Sequence, residues 1–254
     1  MYKRQEETFH NQEIVAKAGF EANIIENHDQ PRGASLFIPE EDYGFYSLSA
    51  LATIIFCERG LPFLYQGQEI GMSNRQWKYD EFNDLETINQ YQIALKAGMS
   101  KEQALEIARH HSRDNARTPM QWSSEENAGF SKGKPWMPVN ENDKVLNVAE
   151  EEKEYGSILN FYKRLIAFYK SEEYNEILTY GDFRPIYEKE DHIFAYSRSY
   201  GCQKLVLICN FSSKEKDIEL SEDYENVIFV NYEQTTVIGN TLKMKPYECV
   251  IYEM

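Results

Sequence analysis

The sequence has little that would place the protein in a membrane or outside the cell. No run approaches the ~18 consecutive apolar residues of a membrane-spanning helix. The basic residues that follow Met1 precede no apolar run, so no secretory signal is expected. The chain has 42 acidic and only 27 basic residues, a net charge of −15. This charge disfavours nucleic acids and anionic membranes as partners, because both attract basic surfaces.

Cysteine is scarce, and its spacing excludes the common metal and redox motifs. The four cysteines form no Cys-x-x-Cys pair and no Cys/His spacing of a zinc site. Cys57, Cys209 and Cys249 lie within apolar runs, where a free thiol behaves as a small hydrophobic group. No glycine-rich phosphate-binding motif occurs either. We therefore predict reduced thiols, a cytoplasmic location, no metal site and no cofactor.

The first part of the chain has the pattern of a parallel sheet. Its 254 residues, 42% of them apolar, suffice for one large domain or two smaller ones. Residues 20–29 read as a strand, and apolar residues at three- and four-residue spacing after Gly44 predict a helix that ends with Gly60 as its C′ residue. A second apolar run, Phe63-Leu-Tyr65, completes a strand–helix–strand unit.

The middle and the end of the chain differ in the spacing of their apolar residues. Helices are predicted near 84–97, 101–111 and 155–169, with a long loop rich in proline and tryptophan at 118–138. Beyond Tyr174 the apolar pattern has a period of two, which predicts antiparallel strands. We therefore divide the chain into an α/β domain, 1–173, and an antiparallel β domain, 174–254.

Polar clusters follow both predicted parallel strands. Glu26-Asn-His-Asp29 follows the first strand, and Gln66, Gln68 and Glu69 follow the second. In parallel β/α folds the side chains beyond the carboxyl ends of the strands face the ligand. The two clusters are thus predicted to form one rim of a binding site, although neighbouring His and Asp residues are also common on ordinary surfaces.

A third polar cluster runs from His110 to Trp122. His110 and His111 are a poor metal site, because neighbouring residues on a helix point about 100° apart. Arg113, Asp114 and Arg117 are also compatible with solvated ion pairs, and Trp122 with a role in fixing the loop.

Four ordered motifs carry a resemblance to a known family. They are Glu26-Asn-His-Asp-Gln-Pro-Arg32, Gly60-Leu-Pro-Phe-Leu-Tyr-Gln-Gly-Gln-Glu-Ile-Gly-Met-Ser-Asn74, Arg113-Asp-Asn-Ala-Arg-Thr-Pro-Met-Gln-Trp122 and Asn127-Ala-Gly-Phe-Ser-Lys-Gly-Lys-Pro-Trp136. Together they resemble the α-amylase superfamily (glycoside hydrolase family 13), specifically its oligo-1,6-glucosidase and α-glucosidase branch. The resemblance implies the last two β/α units of a (β/α)8 TIM barrel, followed by a β-sandwich-like C-terminal domain.

The resemblance also implies roles for individual residues. Asp29 resembles the carboxylate that stabilises the transition state, and His28 resembles its neighbour that hydrogen-bonds the same sugar. Arg113 resembles an arginine at the non-reducing end of the substrate, and Glu86 the acid that contacts the leaving-group glucose. Arg32 is expected to line the mouth of the pocket.

The family's other two catalytic carboxylates have no counterpart here. A retaining glycosidase needs a nucleophile and an acid/base about 5–5.5 Å apart, and the Gly-x-Arg-x-Asp motif of the nucleophile does not occur. We therefore expect the C-terminal portion of a retaining α-glucosidase acting on short oligosaccharides, inactive alone. A non-catalytic remnant or sugar-binding β module, and one half of a split enzyme whose partner chain brings the missing barrel segment, stay open. Preference for α-1,6 bonds, α-1,4 bonds or trehalose phosphate is also undecided.

Overall fold

A computed structural model describes residues 2–15, 18–221 and 226–254. The helices are α1 (Tyr2–Val15), α2 (Gly33–Phe37), α3 (Phe45–Cys57), α4 (Leu85–Lys96), α5 (Lys101–His111), α6 (Val148–Glu151), α7 (Ile158–Tyr169) and α8 (Asn175–Tyr180). The strands are β1 (Ala22–Asn23), β2 (Leu61–Pro62), β3 (Asp182–Pro185), β4 (Ile193–Tyr200), β5 (Gln203–Asn210), β6 (Lys216–Glu219), β7 (Asn226–Val230), β8 (Thr236–Ile238), β9 (Thr241–Met244) and β10 (Cys249–Glu253). Within these described ranges, no helix has the length and apolar character needed to cross a membrane.

The chain forms two compact units, and each is built from segments that are not consecutive in the sequence. The first, here called the β unit, comprises Met1–Ile24, Asp42–Phe63 and Phe161–Met254. The second, here called the site unit, comprises Ile25–Glu41 and Leu64–Asn160. The division of the chain into domains at residue 173 stays a prediction.

Two antiparallel sheets build most of the β unit. One has the strand order β3-β4-β5-β10-β7, and the other has the order β6-β9-β8. Side chains of both sheets share one core, to which Ile208 contributes from β5, Ile218 from β6 and Leu242 from β9. This pair of sheets is the antiparallel β region that the period-two pattern predicted beyond Tyr174.

The central strands of the larger sheet are buried on both faces. In β5 every residue from Leu205 to Asn210 is buried, so the alternation expected of a half-exposed strand is lost. One face packs on the smaller sheet, and helices cover the other. Phe9 of α1 contacts the ring of Phe194 at 5.1 Å between centroids, and Tyr196 Oη donates a 2.9 Å hydrogen bond to Ile54 O of α3.

Arg198 of β4 joins the ends of two helices inside this unit. Its guanidinium is buried and donates to Cys57 O at 2.7 Å and to Gly181 O at 3.0 Å. Cys57 ends α3, and Gly181 is the C-cap of α8, so the cation meets the negative ends of two helix dipoles. Burial lowers the pKa of Arg198 to about 10. The guanidinium therefore compensates carbonyl groups that no helical N–H reaches.

The predicted strand–helix–strand unit is present, but its strands are short. β1 and β2 pair in parallel through two residues each, with Leu61 N donating to Glu21 O and Phe63 N to Asn23 O. The predicted strand at 20–29 is thus reduced to two residues, and its partner lies at Leu61–Pro62 instead of 63–65. In the described part of the chain this sheet has only two strands, and Leu61 and Phe63 remain half-exposed.

Gly60 has a different role from the predicted helix cap. Helix α3 ends at Cys57 with Glu58 as an extended C-cap, which places Gly60 beyond the C′ position. Its φ is +140°, and a Cβ atom there would clash with Glu21 O and Asn23 Oδ1. Glycine is therefore required because the loop passes close to β1.

In the site unit, α4 and α5 confirm the predicted helices almost residue for residue. Asp84 and Ser100 cap their N-termini with side-chain oxygens that accept hydrogen bonds from Thr87 N and Gln103 N. Trp77 is fully buried, and its Nε1 donates to Asn115 Oδ1 at 2.7 Å. The predicted long loop contains three successive residues with positive φ, which are Asn127, Ala128 and Gly129.

Candidate active site

Asp29 lies in the loop after β1, on an exposed part of the site unit. Its backbone N–H donates to Asn27 Oδ1 at 2.8 Å, which forms an Asx turn and fixes the loop. His28 Nε2 lies 3.2 Å from Asp29 Oδ2. The side chain of His28 is 71% exposed and that of Asp29 is 54% exposed. Both predicted residues are therefore neighbours at a solvent-accessible position.

Arg117, whose surroundings in the sequence are also compatible with solvated ion pairs, contacts this loop directly. Its Nη2 donates to Asp29 Oδ1 at 3.1 Å, and its Nε donates to His28 O at 3.0 Å. One guanidinium thus holds both the backbone and the carboxylate of the loop, and its planar shape fixes the angle between them. The contact joins residues 88 positions apart, and no local pattern in the sequence indicates it.

Arg113 reaches the same carboxylate from a second position. Its Nη1 lies 3.6 Å from Asp29 Oδ1, and its Nη2 donates to Asp84 Oδ1 at 2.5 Å. The hydrogen bond and the negative charge of Asp84 raise the pKa of Arg113. Burial by itself raises the pKa of Asp84, but the hydrogen bonds from Arg113 and Thr87 outweigh it and leave this pKa below its ordinary value.

Asp114 lies beside Arg117 and holds the backbone at Asp84. Its carboxylate is fully buried, and Oδ2 accepts hydrogen bonds from Asn83 N at 2.7 Å and Asp84 N at 2.9 Å. The other oxygen, Oδ1, lies 4.0 Å from Arg117 Nη1. Carboxylates and guanidinium groups thus alternate across the site, in the order Asp84, Arg113, Asp29, Arg117 and Asp114.

Glu86 lies on the first turn of α4, beside Arg113. Its carboxylate is 62% exposed, with Oε2 3.7 Å from Arg113 Nη2. Gln90 Nε2 donates to its Oε1 at 3.2 Å. The structure therefore brings the predicted Glu86, Arg113 and Asp29 together around one guanidinium.

Arg32 lies elsewhere than predicted. It is fully buried and does not line an open pocket mouth. Its Nη1 donates to Gln66 O at 2.6 Å and its Nε to Asn115 O at 3.3 Å. Because these acceptors belong to the segments that follow β2 and α5, Arg32 joins three loops of the site unit from the inside.

Glu26 is the buried acid beside Arg32. Its Oε2 accepts from Gly33 N at 2.8 Å, while Oε1 lies 3.9 Å from Arg32 Nη1. Burial, the largest effect, and the charge of Glu69 together raise the pKa of Glu26 to about 7, although Arg32 and the Gly33 N–H lower it. The polar residues after β1 therefore divide into an inner pair, Glu26 and Arg32, and an outer pair, His28 and Asp29.

Comparison with known proteins identifies the family. A family model for the catalytic domain of α-amylases matches residues 1–181, and one for the C-terminal domain of the α-amylase SusG matches residues 193–251. The chain belongs to the α-amylase family. The resemblance to its oligo-1,6-glucosidase branch is confirmed, because the chain is 38% identical over 249 residues to the oligo-1,6-glucosidase of Bacillus cereus, covering 96% of this chain and 44% of the relative.

Two further relatives are named for another sugar, trehalose 6-phosphate. A trehalose-6-phosphate hydrolase of Bacillus subtilis is 33% identical over 246 residues, covering 94% of this chain and 43% of the relative. The crystal structure of the Bacillus licheniformis trehalose-6-phosphate hydrolase superposes with a TM-score of 0.92 at 35% identity, covering 99% of this chain and 46% of that protein. The predicted combination of an α/β part with an antiparallel β part is thus confirmed. The chain spans less than half the length of these relatives.

Proposed function

We propose that the chain is the C-terminal part of a retaining α-glucosidase of the oligo-1,6-glucosidase type. Its substrates would be short oligosaccharides with a terminal α-glucosidic bond. Membership of the family supports this proposal, and the observation that carries it is the fixed, exposed carboxylate of Asp29 between Arg113 and Arg117. We assign its α/β part to the last two units of the barrel.

Asp29 is suited to stabilise the transition state of glycosidic cleavage. Cleavage develops positive charge on the sugar ring. A carboxylate that holds the distorted ring stabilises this charge, most effectively when the carboxylate is already fixed in place before the reaction. The Asx turn and Arg117 supply this fixation, while 54% of the Asp29 side chain remains exposed for sugar hydroxyls. His28 would bind a neighbouring hydroxyl, and Arg113 and Glu86 would form the wall towards the rest of the substrate.

Under this proposal, no residue in the described part of the chain serves as either of the other two acids of the reaction. Among the carboxylates near Asp29, Asp84 and Asp114 are buried and already accept hydrogen bonds from Arg113 or from the backbone. Glu86 is exposed, but it shares the Arg113 guanidinium with Asp29. A nucleophile and an acid/base would therefore come from another polypeptide segment.

Activity measurements on the full chain test this reading. We expect no hydrolysis of 4-nitrophenyl α-glucoside above background, for the wild type and for Asp29→Ala alike. The exposed Asp217 of β6 provides the matched control, Asp217→Ala. Turnover by homogeneous protein that is lost in Asp29→Ala but kept in Asp217→Ala would show that the chain has its own nucleophile and would refute the proposal.

The split-enzyme alternative has a separate test. If DNA adjoining the coding sequence encodes a Gly-x-Arg-x-Asp motif, co-expression of that product with this chain should produce activity that depends on Asp29. A remnant, in contrast, would stay inactive in the mixture. Activity towards isomaltose, maltose and trehalose 6-phosphate in the same mixture would identify the preferred bond.

We keep the cytoplasmic location as part of the proposal. All four cysteines are free, and Cys209 lies directly opposite Cys249 in the strand register without forming a disulfide. Free thiols in this position are compatible with a reducing compartment.

A further inference from the structure

Three carboxylates compete for the Arg113 guanidinium. The distances to its nearest nitrogen are 2.5 Å for Asp84, 3.6 Å for Asp29 and 3.7 Å for Glu86. The side chain of Asp84 is only 4% exposed, whereas those of Asp29 and Glu86 are more than half exposed. Asp84 alone forms a direct hydrogen bond to Arg113 among these three.

Asp84 is itself held from several sides. Its backbone N–H donates to Asp114 Oδ2, and its own Oδ2 accepts from Thr87 Oγ1 at 2.7 Å. Thr87 Oγ1 also lies 3.0 Å from Ser112 Oγ, in hydrogen-bond contact. Asp84 therefore offers Arg113 a rigid acceptor, while the other two carboxylates lie on exposed side chains.

The guanidinium is planar and rigid, so holding Nη2 on Asp84 limits where Nη1 can lie. Nη1 stays 3.6 Å from Asp29, beyond the ~2.7–3.2 Å of a good N–H···O hydrogen bond. We propose that Asp84 is a positioning residue that holds Arg113 back from Asp29, so that the Asp29 carboxylate keeps acceptor sites for sugar hydroxyls. This inference rests on the proposed function, because it assigns Asp29 to the sugar.

Asp84 has a second role, as the N-cap of α4, which the test must separate from the first. Asparagine caps helices about as well as aspartate but carries no charge. In Asp84→Asn we expect α4 to keep its cap and Arg113 to turn to the nearest remaining carboxylates. The Arg113–Asp29 distance should then fall from 3.6 Å to about 2.9 Å.

The measurement is a crystal structure of the full-length variant, with ¹⁵N–¹H spectra of the arginine side chains in solution. The Arg113 signals are assigned from Arg113→Lys. The matched control is Asp217→Asn, because Asp217 is an exposed acid of the β unit that pairs with Lys243. This variant should leave the Arg113 signals unchanged. If Asp84→Asn fails to fold, Asp84→Ser provides an uncharged cap of similar strength.

Closure of Arg113 onto Asp29 in the folded variant supports the inference. An Arg113 that keeps its place, or that turns away from Asp29, overturns it, because Asp84 would then only cap the helix. The readout is a geometry and not turnover. Failure of the proposed function would therefore appear in the activity assays and leave this result unaffected.

Discussion

Glu26 makes the stability of the site unit depend on pH in a direction that can be calculated. Its pKa is raised from an ordinary value of 4.5 to about 7, chiefly by burial. Since the folded-state pKa is the higher one, protonation favours folding. The stabilisation is complete below pH 4.5 and is lost as the pH rises through about 7. A difference of ~2.5 pKa units corresponds to at most ~3 kcal/mol.

Replacing Glu26 by Gln should remove this pH dependence, because the neutral amide has no ionised form to bury. At pH 5 the wild-type Glu26 carboxyl is protonated in the folded state. The two proteins then both bury a neutral group at this position. By pH 8 the free energy of unfolding of Glu26→Gln should have risen relative to that of the wild type by up to ~3 kcal/mol.

Urea unfolding at several pH values provides the assay. All three tryptophans, Trp77, Trp122 and Trp136, belong to the site unit, so their fluorescence follows this unit. Glu102→Gln, on an exposed position of α5, is the matched control and should keep the wild-type pH profile. Parallel stability profiles for wild type and Glu26→Gln between pH 5 and 8 would refute the reasoning.

Two further predictions concern the β unit. Arg198→Met should lower the free energy of unfolding by about 3 kcal/mol in urea experiments followed by circular dichroism, because Cys57 O and Gly181 O lose a buried donor. Arg184→Met on the exposed side of β3 should change it by less than ~0.5 kcal/mol, and equal effects of the two variants would contradict this role of Arg198. One thiol per chain, that of the exposed Cys202, should react with Ellman's reagent before unfolding, since the other three are buried and burial raises the pKa of Cys57. Fast reaction of a second thiol in the native state would show that the buried cysteines become accessible to solvent.

Local signals in the sequence were sufficient for two helices of the site unit, α4 and α5, but not for the short helices α2 and α6. Helices α4 and α5 begin at capping residues, Asp84 and Ser100, whose side chains act on the next turn, so their positions depend on neighbours in sequence. Strands β3, β8 and β9 were not predicted. All of β8 is exposed, so it lacks the apolar alternation that marks a half-buried strand.

The sequence pointed to several residues that lie close together in the structure, but not to the contacts between them. Asp29 and Glu86 lie beside the Arg113 guanidinium, and His28 is in contact with Asp29. Arg32 is separated from this group because its buried side chain donates to Gln66 O and Asn115 O, which are distant in the sequence. The clamp of Arg117 on the Asp29 loop joins segments far apart in the chain, so only the folded arrangement reveals it.

The short parallel pair β1–β2 has a consequence for handling the protein. Leu61 and Phe63 expose apolar side chains next to strand edges that lack a partner in the described ranges. Exposed apolar strand edges promote self-association. The net charge of −15 opposes it by mutual repulsion. Repulsion between exposed charges reaches only ~8 Å at physiological ionic strength and less in stronger salt. Dilute buffer should thus keep the chain dispersed, whereas concentrated salt should drive it towards aggregates.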